Sequence, residues 1–115
     1  MKSLLLHLLI LLPAVSSFAG TSKNVSYKSG DETVQAVLYA PDGKGPVPGI
    51  VVIHEWWGLN DWVKEQASRL SDQGYVTLAI DLYRGKVATT PDEAHEIMRG
   101  VPDCLLYTSP SPRDS

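Results

Sequence analysis

The hydrophobic pattern changes character along this chain, and each change marks an element. From residue 33 to 40 apolar and polar positions alternate: Val34, Ala36 and Leu38 are offset from Thr33, Gln35 and Val37, with Val37 and Tyr39 blurring the polar side. That period of two predicts a strand. Together with residues 24–28 and the turn Ser29-Gly30-Asp31-Glu32, it predicts an antiparallel hairpin. Residues 41–49 are dense in proline, glycine and aspartate, as a connection should be. The run Ile50-Val51-Val52-Ile53 then drops the alternation, which suits a strand covered on both faces, as in a parallel sheet.

The period next lengthens to that of a helix. Asn60 is the expected N-cap, Val63, Ala67 and Leu70 fall at i, i+4 and i+7, and Glu65 and Arg69 lie four apart on the solvent side. Gly74, free to take a positive φ, closes the helix, and residues 75–80 form the next apolar strand. Strand, helix and strand make one βαβ unit, whose right-handed crossover places both strand C-termini on one sheet edge. Open α/β sheets bind ligands at that edge, so the turn at 54–58 and the loop at 81–86 are expected to face one crevice. Further on, Thr90-Pro91-Asp92-Glu93 has the form of a capping box with proline at N1. It predicts a short helix over 91–99, apolar at Ala94, Ile97 and Met98 and stopped by Gly100 and Pro102, with His95 on its surface.

The two ends read differently. Lys2, the apolar run Leu4 to Leu12 and the small-x-small site Ser17-Phe18-Ala19 make residues 1–19 a secretory signal peptide. Its apolar run falls well short of the ~20 residues that span a bilayer, so the expectation is an exported protein, periplasmic or secreted, with no stable membrane span after cleavage. Asn24-Val25-Ser26 matches a glycosylation sequon, which matters only in a eukaryotic secretory pathway. Residues 104–115 share no periodicity with what precedes them and end in a Ser/Pro segment; they read as a non-native tail on a domain covering 20–103.

Composition narrows the function. A doubly wound sheet enzyme usually needs about 200 residues or more, and this chain has 115. A formal charge of -3 offers no basic patch for nucleic acid. The single cysteine, Cys104, excludes an internal disulfide, and no Cys/His pairs stand at zinc-ligand spacing, so no structural metal is expected. A zinc-protease reading of His54-Glu55 fails, because H-E-x-x-H requires histidine where Gly58 stands.

The chemistry gathers at the end of the central strand. Burial raises a carboxylate's pKa and neighbouring cations or amides lower it, so Glu55 is a candidate for tuned acid/base work; bracing the loop by accepting amide hydrogen bonds is the equal alternative. Trp56 and Trp57 are candidates to wall a substrate pocket, or for one of them to pack beneath the sheet. Asp81 and Tyr83 read as bracing and packing at a strand end rather than as direct catalysts.

These residues resemble a known family. His54-Glu55-Trp56-Trp57-Gly58-Leu59-Asn60, the helix end Leu70-x-x-x-Gly74-Tyr75, and Asp81-Leu82-Tyr83 followed by residues 86–91 are similar, in order and spacing, to the N-terminal half of the dienelactone hydrolase family. The resemblance covers about residues 25–103. It implies an α/β protein with an incomplete α/β-hydrolase fold, an N-terminal hairpin followed by a βαβ unit of a mostly parallel sheet. It also implies a hydrolase of small carboxylic esters or lactones that uses no cofactor and works through a Cys-His-Asp triad lying outside this chain, so that the chain as given is expected to be inactive. Cys104 is no substitute: a nucleophile elbow needs small residues at its flanks, and Cys104 sits between Asp103 and Leu105. By resemblance, Glu55 is the partner that helps form the nucleophilic thiolate and the Trp56 backbone amide is an oxyanion donor, while Trp57, Tyr83 and Arg84 are the candidates to contact substrate. Arg84 lies close to the family's cationic position for a substrate carboxylate, with Gly85 and Lys86 departing from the usual pattern. The competing reading is a short secreted binding module without catalysis, which would leave a long apolar strand edge open.

Overall fold

The structure, a computed structural model, describes residues 20–43 and 45–102. Residues 1–19 (the expected signal peptide), Lys44 and residues 103–115, which include Cys104 and the expected tail, lie outside the described residues. The elements follow as β1 (Thr21–Ser29), β2 (Glu32–Ala40), β3 (Gly49–Ile53), α1 (Asp61–Asp72), β4 (Val76–Asp81) and α2 (Pro91–Arg99). This is the expected hairpin followed by a βαβ unit and a second helix.

The hairpin is longer and tighter than its sequence suggested. Ser29 pairs directly with Glu32, leaving a two-residue loop of Gly30 and Asp31. Gly30 has φ +59°, a positive value at the first loop position, where type II′ hairpins favour glycine. The strand order is β1-β2-β4-β3; β3 and β4 are parallel, whereas β2 joins β1 and β4 antiparallel, so the described sheet is mixed.

Each face of the sheet carries a hydrophobic cluster, and α1 covers one of the two faces. On one face Leu59, Val63 and Ala67 pack against Ala79, with Val37, Tyr39 and Val52 alongside. On the other, Val34, Ala36, Ile80, Leu82 and Tyr83 form a second cluster that Ile97 of α2 and Val101 join. The blurred alternation of β2 thus has a physical cause, because Val37 and Tyr39 point at α1 while Val34 and Ala36 point the other way.

Both helix starts are as their local chemistry requires. The Asn60 side chain accepts from the Val63 amide at 3.0 Å, and Thr90 and Glu93 form the full reciprocal capping box. The buried stripe of α1 is Val63, Ala67 and Ser71, with Leu70 only half-buried. It follows the i, i+4, i+8 row rather than the shorter repeat inferred from Leu70. The fully buried Thr77 hydroxyl of β4 donates to the Ala67 carbonyl at 2.9 Å and fixes where α1 crosses the sheet. No described helix is long and apolar enough to cross a membrane.

Candidate active site

Because β3 and β4 run parallel in register, with Ile53 beside Ile80, their outgoing loops leave from the same edge of the sheet. The first loop makes a tight turn. The Gly58 amide donates to the Glu55 carbonyl at 3.2 Å, and Asn60, the cap of α1, donates its own amide to the Gly58 carbonyl at 2.8 Å. The second loop is built by Asp81, whose two carboxylate oxygens accept from the amides of Tyr83 at 2.9 Å and Gly85 at 2.6 Å. That bracing lets Arg84 and Gly85 take positive φ values of 54° and 84°. Asp81 therefore has the loop-bracing role read from its position.

The two loops are stitched to each other. The Ala88 amide donates to the Trp57 carbonyl at 2.9 Å. Gly58, at φ +93°, comes so close to the second loop that a Cβ there would lie 2.5 Å from the Lys86 carbonyl oxygen and 3.1 Å from the Tyr83 ring. The remaining stitch is His54. It is buried, its ring stands edge-on to Tyr83 at 4.6 Å, its Nε2 receives the Leu82 amide at 3.1 Å, and its Nδ1 lies 2.7 Å from the Glu55 carbonyl oxygen.

Glu55 and Trp56 occupy the turn between these stitches. The Glu55 side chain is exposed, and its carboxylate makes no hydrogen bond or ion pair among the described residues. What accepts hydrogen bonds is its backbone carbonyl, so the side chain is not the loop brace that one reading allowed. The Trp56 amide likewise finds no acceptor among the described residues. Both residues border a cleft of about 470 Å³ whose walls include His54, Tyr83 and Met98. Trp56 and Trp57 meet at 5.0 Å, and neither packs beneath the sheet: Trp56 faces this cleft, while Trp57 and Trp62 border a smaller one with Glu55.

Tyr83 walls both the large cleft and a neighbouring one of about 280 Å³ that reaches Arg84, Lys86 and Glu96. Burial pushes its phenol above the ordinary range, so it serves this region as a neutral hydroxyl. The Arg84 guanidinium pairs with Glu32 of β2 at 2.7 Å. His95 is exposed, as expected, yet its ring stands edge-on to Trp56 at 5.0 Å and ties α2 to the turn. Among the described residues no cluster of His, Cys, Asp or Glu could hold a metal ion.

The structure thus brings Glu55, Trp56 and Tyr83 to one cleft and sets Trp57 and Arg84 at its neighbours. Sequence reasoning missed the roles of His54 and Gly58. Neither role can be read locally: beside the adjacent Glu55 carbonyl, the second partner of His54 lies 28 residues away, and the neighbour that forbids a Cβ at Gly58 is in the other loop.

With this geometry in hand, comparison with known proteins is informative. The profile of the dienelactone hydrolase family matches residues 34–104. Protein usf of Aquifex pyrophilus is 38% identical over 77 residues, covering 64% of this chain and 32% of its own. Carboxymethylenebutenolidase of Pseudomonas putida is 36% identical over 62 residues, covering 54% of this chain and 26% of its own. Among solved structures, a dienelactone hydrolase-like promiscuous phosphotriesterase from metagenomic libraries is similar with a TM-score of 0.63 and 35% identity, covering 71% of this chain and 35% of its own. The chain spans about a third, or less, of the length of these relatives. Its α/β fold, the paired loops at one sheet edge and the profile match over most of the described residues agree, and the chain belongs to the dienelactone hydrolase family.

Proposed function

We propose that the full-length protein bearing these residues is an exported hydrolase of carboxylic esters or lactones, and that this chain supplies the oxyanion side of its active site. The nucleophile and the rest of the triad, cysteine with histidine and aspartate, are assigned to the part of the protein beyond residue 103. The observation that carries the reading is the turn at Glu55 and Trp56, where an unengaged carboxylate and an unengaged amide stand on the ligand-binding edge of the sheet.

The chemistry follows from those two groups. A thiolate, not a thiol, is the nucleophile, so a proton must leave the cysteine before attack, and the exposed Glu55 carboxylate is free to assist. Attack forms a carbon–sulfur bond and pushes an electron pair onto the carbonyl oxygen. The Trp56 amide donates to that oxygen, a contact of the kind typically worth about 3 to 4 kcal/mol in the transition state. Collapse of the tetrahedral species expels the alcohol, and water then hydrolyses the thioester. The signal peptide at residues 1–19 supports export. Trp57 and Tyr83 are assigned to the walls of the substrate site. Arg84, already paired with Glu32, would have to release that exposed partner to bind a substrate carboxylate.

The test is hydrolysis of a panel of aryl esters and lactones by the full-length protein and its Glu55→Gln variant. The expected result is turnover by the parent and a fall in kcat of about a hundredfold in the variant, within the range for acid–base assistance, with unchanged thermal unfolding. Equal turnover by the two would remove Glu55 from the mechanism.

A further inference from the structure

We infer that His54 is a positioning residue for the Trp56 amide, acting through the single peptide unit that joins Glu55 to Trp56. The inference rests on the reading of that amide as an oxyanion donor. Its structural half stands independently.

The hydrogen bonds assign the state of the ring. The Leu82 amide can only donate, so Nε2, 3.1 Å away, carries no proton; the Glu55 carbonyl can only accept, so Nδ1, 2.7 Å away, carries one. The imidazole is therefore neutral, in the Nδ1–H tautomer, with both nitrogens engaged. A buried ring so held has no freedom to rotate without breaking a hydrogen bond at each end.

The Glu55 carbonyl has two acceptor sites, and both are used: one by His54 and one by the Gly58 amide at 3.2 Å. Two donors from different directions fix the orientation of that carbonyl. The peptide that contains it is planar and trans, so the Trp56 N–H on the same plane must point the opposite way. Holding the carbonyl thus aims the amide. The other end of the imidazole is anchored to Leu82 at the end of β4, so the aim is referenced to the sheet rather than to the loop alone. An oxyanion donor depends on this kind of fixed orientation, because its advantage over water is that it need not reorganise during the reaction.

Two measurements on the full-length protein test the inference. The first reads the tautomer by NMR of the 15N-histidine-labelled protein, with the His54 signals identified by their loss in His54→Gln. A protonated Nδ1 and a bare Nε2 are expected; an Nε2–H tautomer or an imidazolium at neutral pH would overturn the clamp. The second compares ester hydrolysis by His54→Phe and His54→Gln. Phenylalanine keeps a ring beside Tyr83 but loses both hydrogen bonds, whereas the glutamine amide offers one acceptor and one donor at the spacing of the imidazole nitrogens. The expected result is a fall in kcat of about tenfold to a hundredfold for His54→Phe, short of the 10²–10³-fold that outright loss of an oxyanion donor costs. KM should change little, and His54→Gln should recover most of the loss. Full kcat in His54→Phe, or an equal loss in the two variants, would overturn the positioning role. A parent protein that hydrolyses no ester would instead overturn the hydrolase reading, and the tautomer, which needs no turnover, would still decide the clamp.

Discussion

Gly58 shows how much of this site depends on one residue having no side chain. Its φ of +93° is one that residues with a Cβ rarely adopt, and the Lys86 carbonyl oxygen stands 2.5 Å from where a Cβ would be. Alanine there would have to push the second loop away from the first, and that oxygen is backbone with no rotamer to retreat into. In the full-length protein Gly58→Ala is expected to cost about 2 to 4 kcal/mol, the sum of a strained backbone and an overpacked contact. Chemical denaturation measures it, and a loss below about 0.5 kcal/mol, the range of an ordinary surface change, would contradict the close approach. The same residue illustrates why the site was only partly readable in advance. Glu55 and Trp56 announce themselves as a charged and an aromatic residue at a strand end, whereas the need for Gly58 and the clamp by His54 arise only once the second loop is beside the first.

At the scale of elements, what could be read in advance was whatever is decided locally. Asn60 reaches the amide of Val63 and Thr90 that of Glu93, each three residues on, so both helix starts are written in a few adjacent positions. Which residues of α1 are buried is not local: Ser71 rather than Leu70 joins Val63 and Ala67 on the face toward the sheet, where the Thr77 hydroxyl, ten residues from Ala67, donates to the Ala67 carbonyl. The length of the hairpin was also hidden, since the polar residues 21–23 carry no alternation and form strand only because residues 38–40 lie opposite them. The capping box of α2 yields a prediction with a definite sign. The backbone amide of Thr89, then its hydroxyl, then the amide of Thr90 hold the Glu93 carboxyl below its ordinary value of 4.5. A carboxylate whose pKa is lowered by folding stabilises the folded helix start fully above about 4.5, and that contribution is lost as pH falls through the depressed value. A 13C titration of Glu93 should therefore show a midpoint below 4.5, with amide exchange in the first turn of α2 rising as the side chain protonates. A midpoint at or above that value would remove the box as a source of acid sensitivity. The consequence reaches the site, because α2 carries the His95 ring that stands against Trp56.

At the scale of the molecule, the described sheet ends at β3, the strand that delivers the site. Ile53 at its end is 64% exposed and Met98 of α2 is 45% exposed, and both border the cleft at Glu55 and Trp56. On the proposed reading, that apolar strand edge is where the strand and elbow bearing the nucleophile would pack beside the Trp56 amide. The central claim is that this chain is one side of a hydrolase site completed by residues further along the same protein. Sequencing the source gene through and beyond the codon for Asp103 tests it most directly. The account predicts an open frame that continues into a glycine-flanked Cys or Ser elbow, followed by an aspartate and a histidine; a frame that encodes residues 104–115 as given and then stops would contradict it.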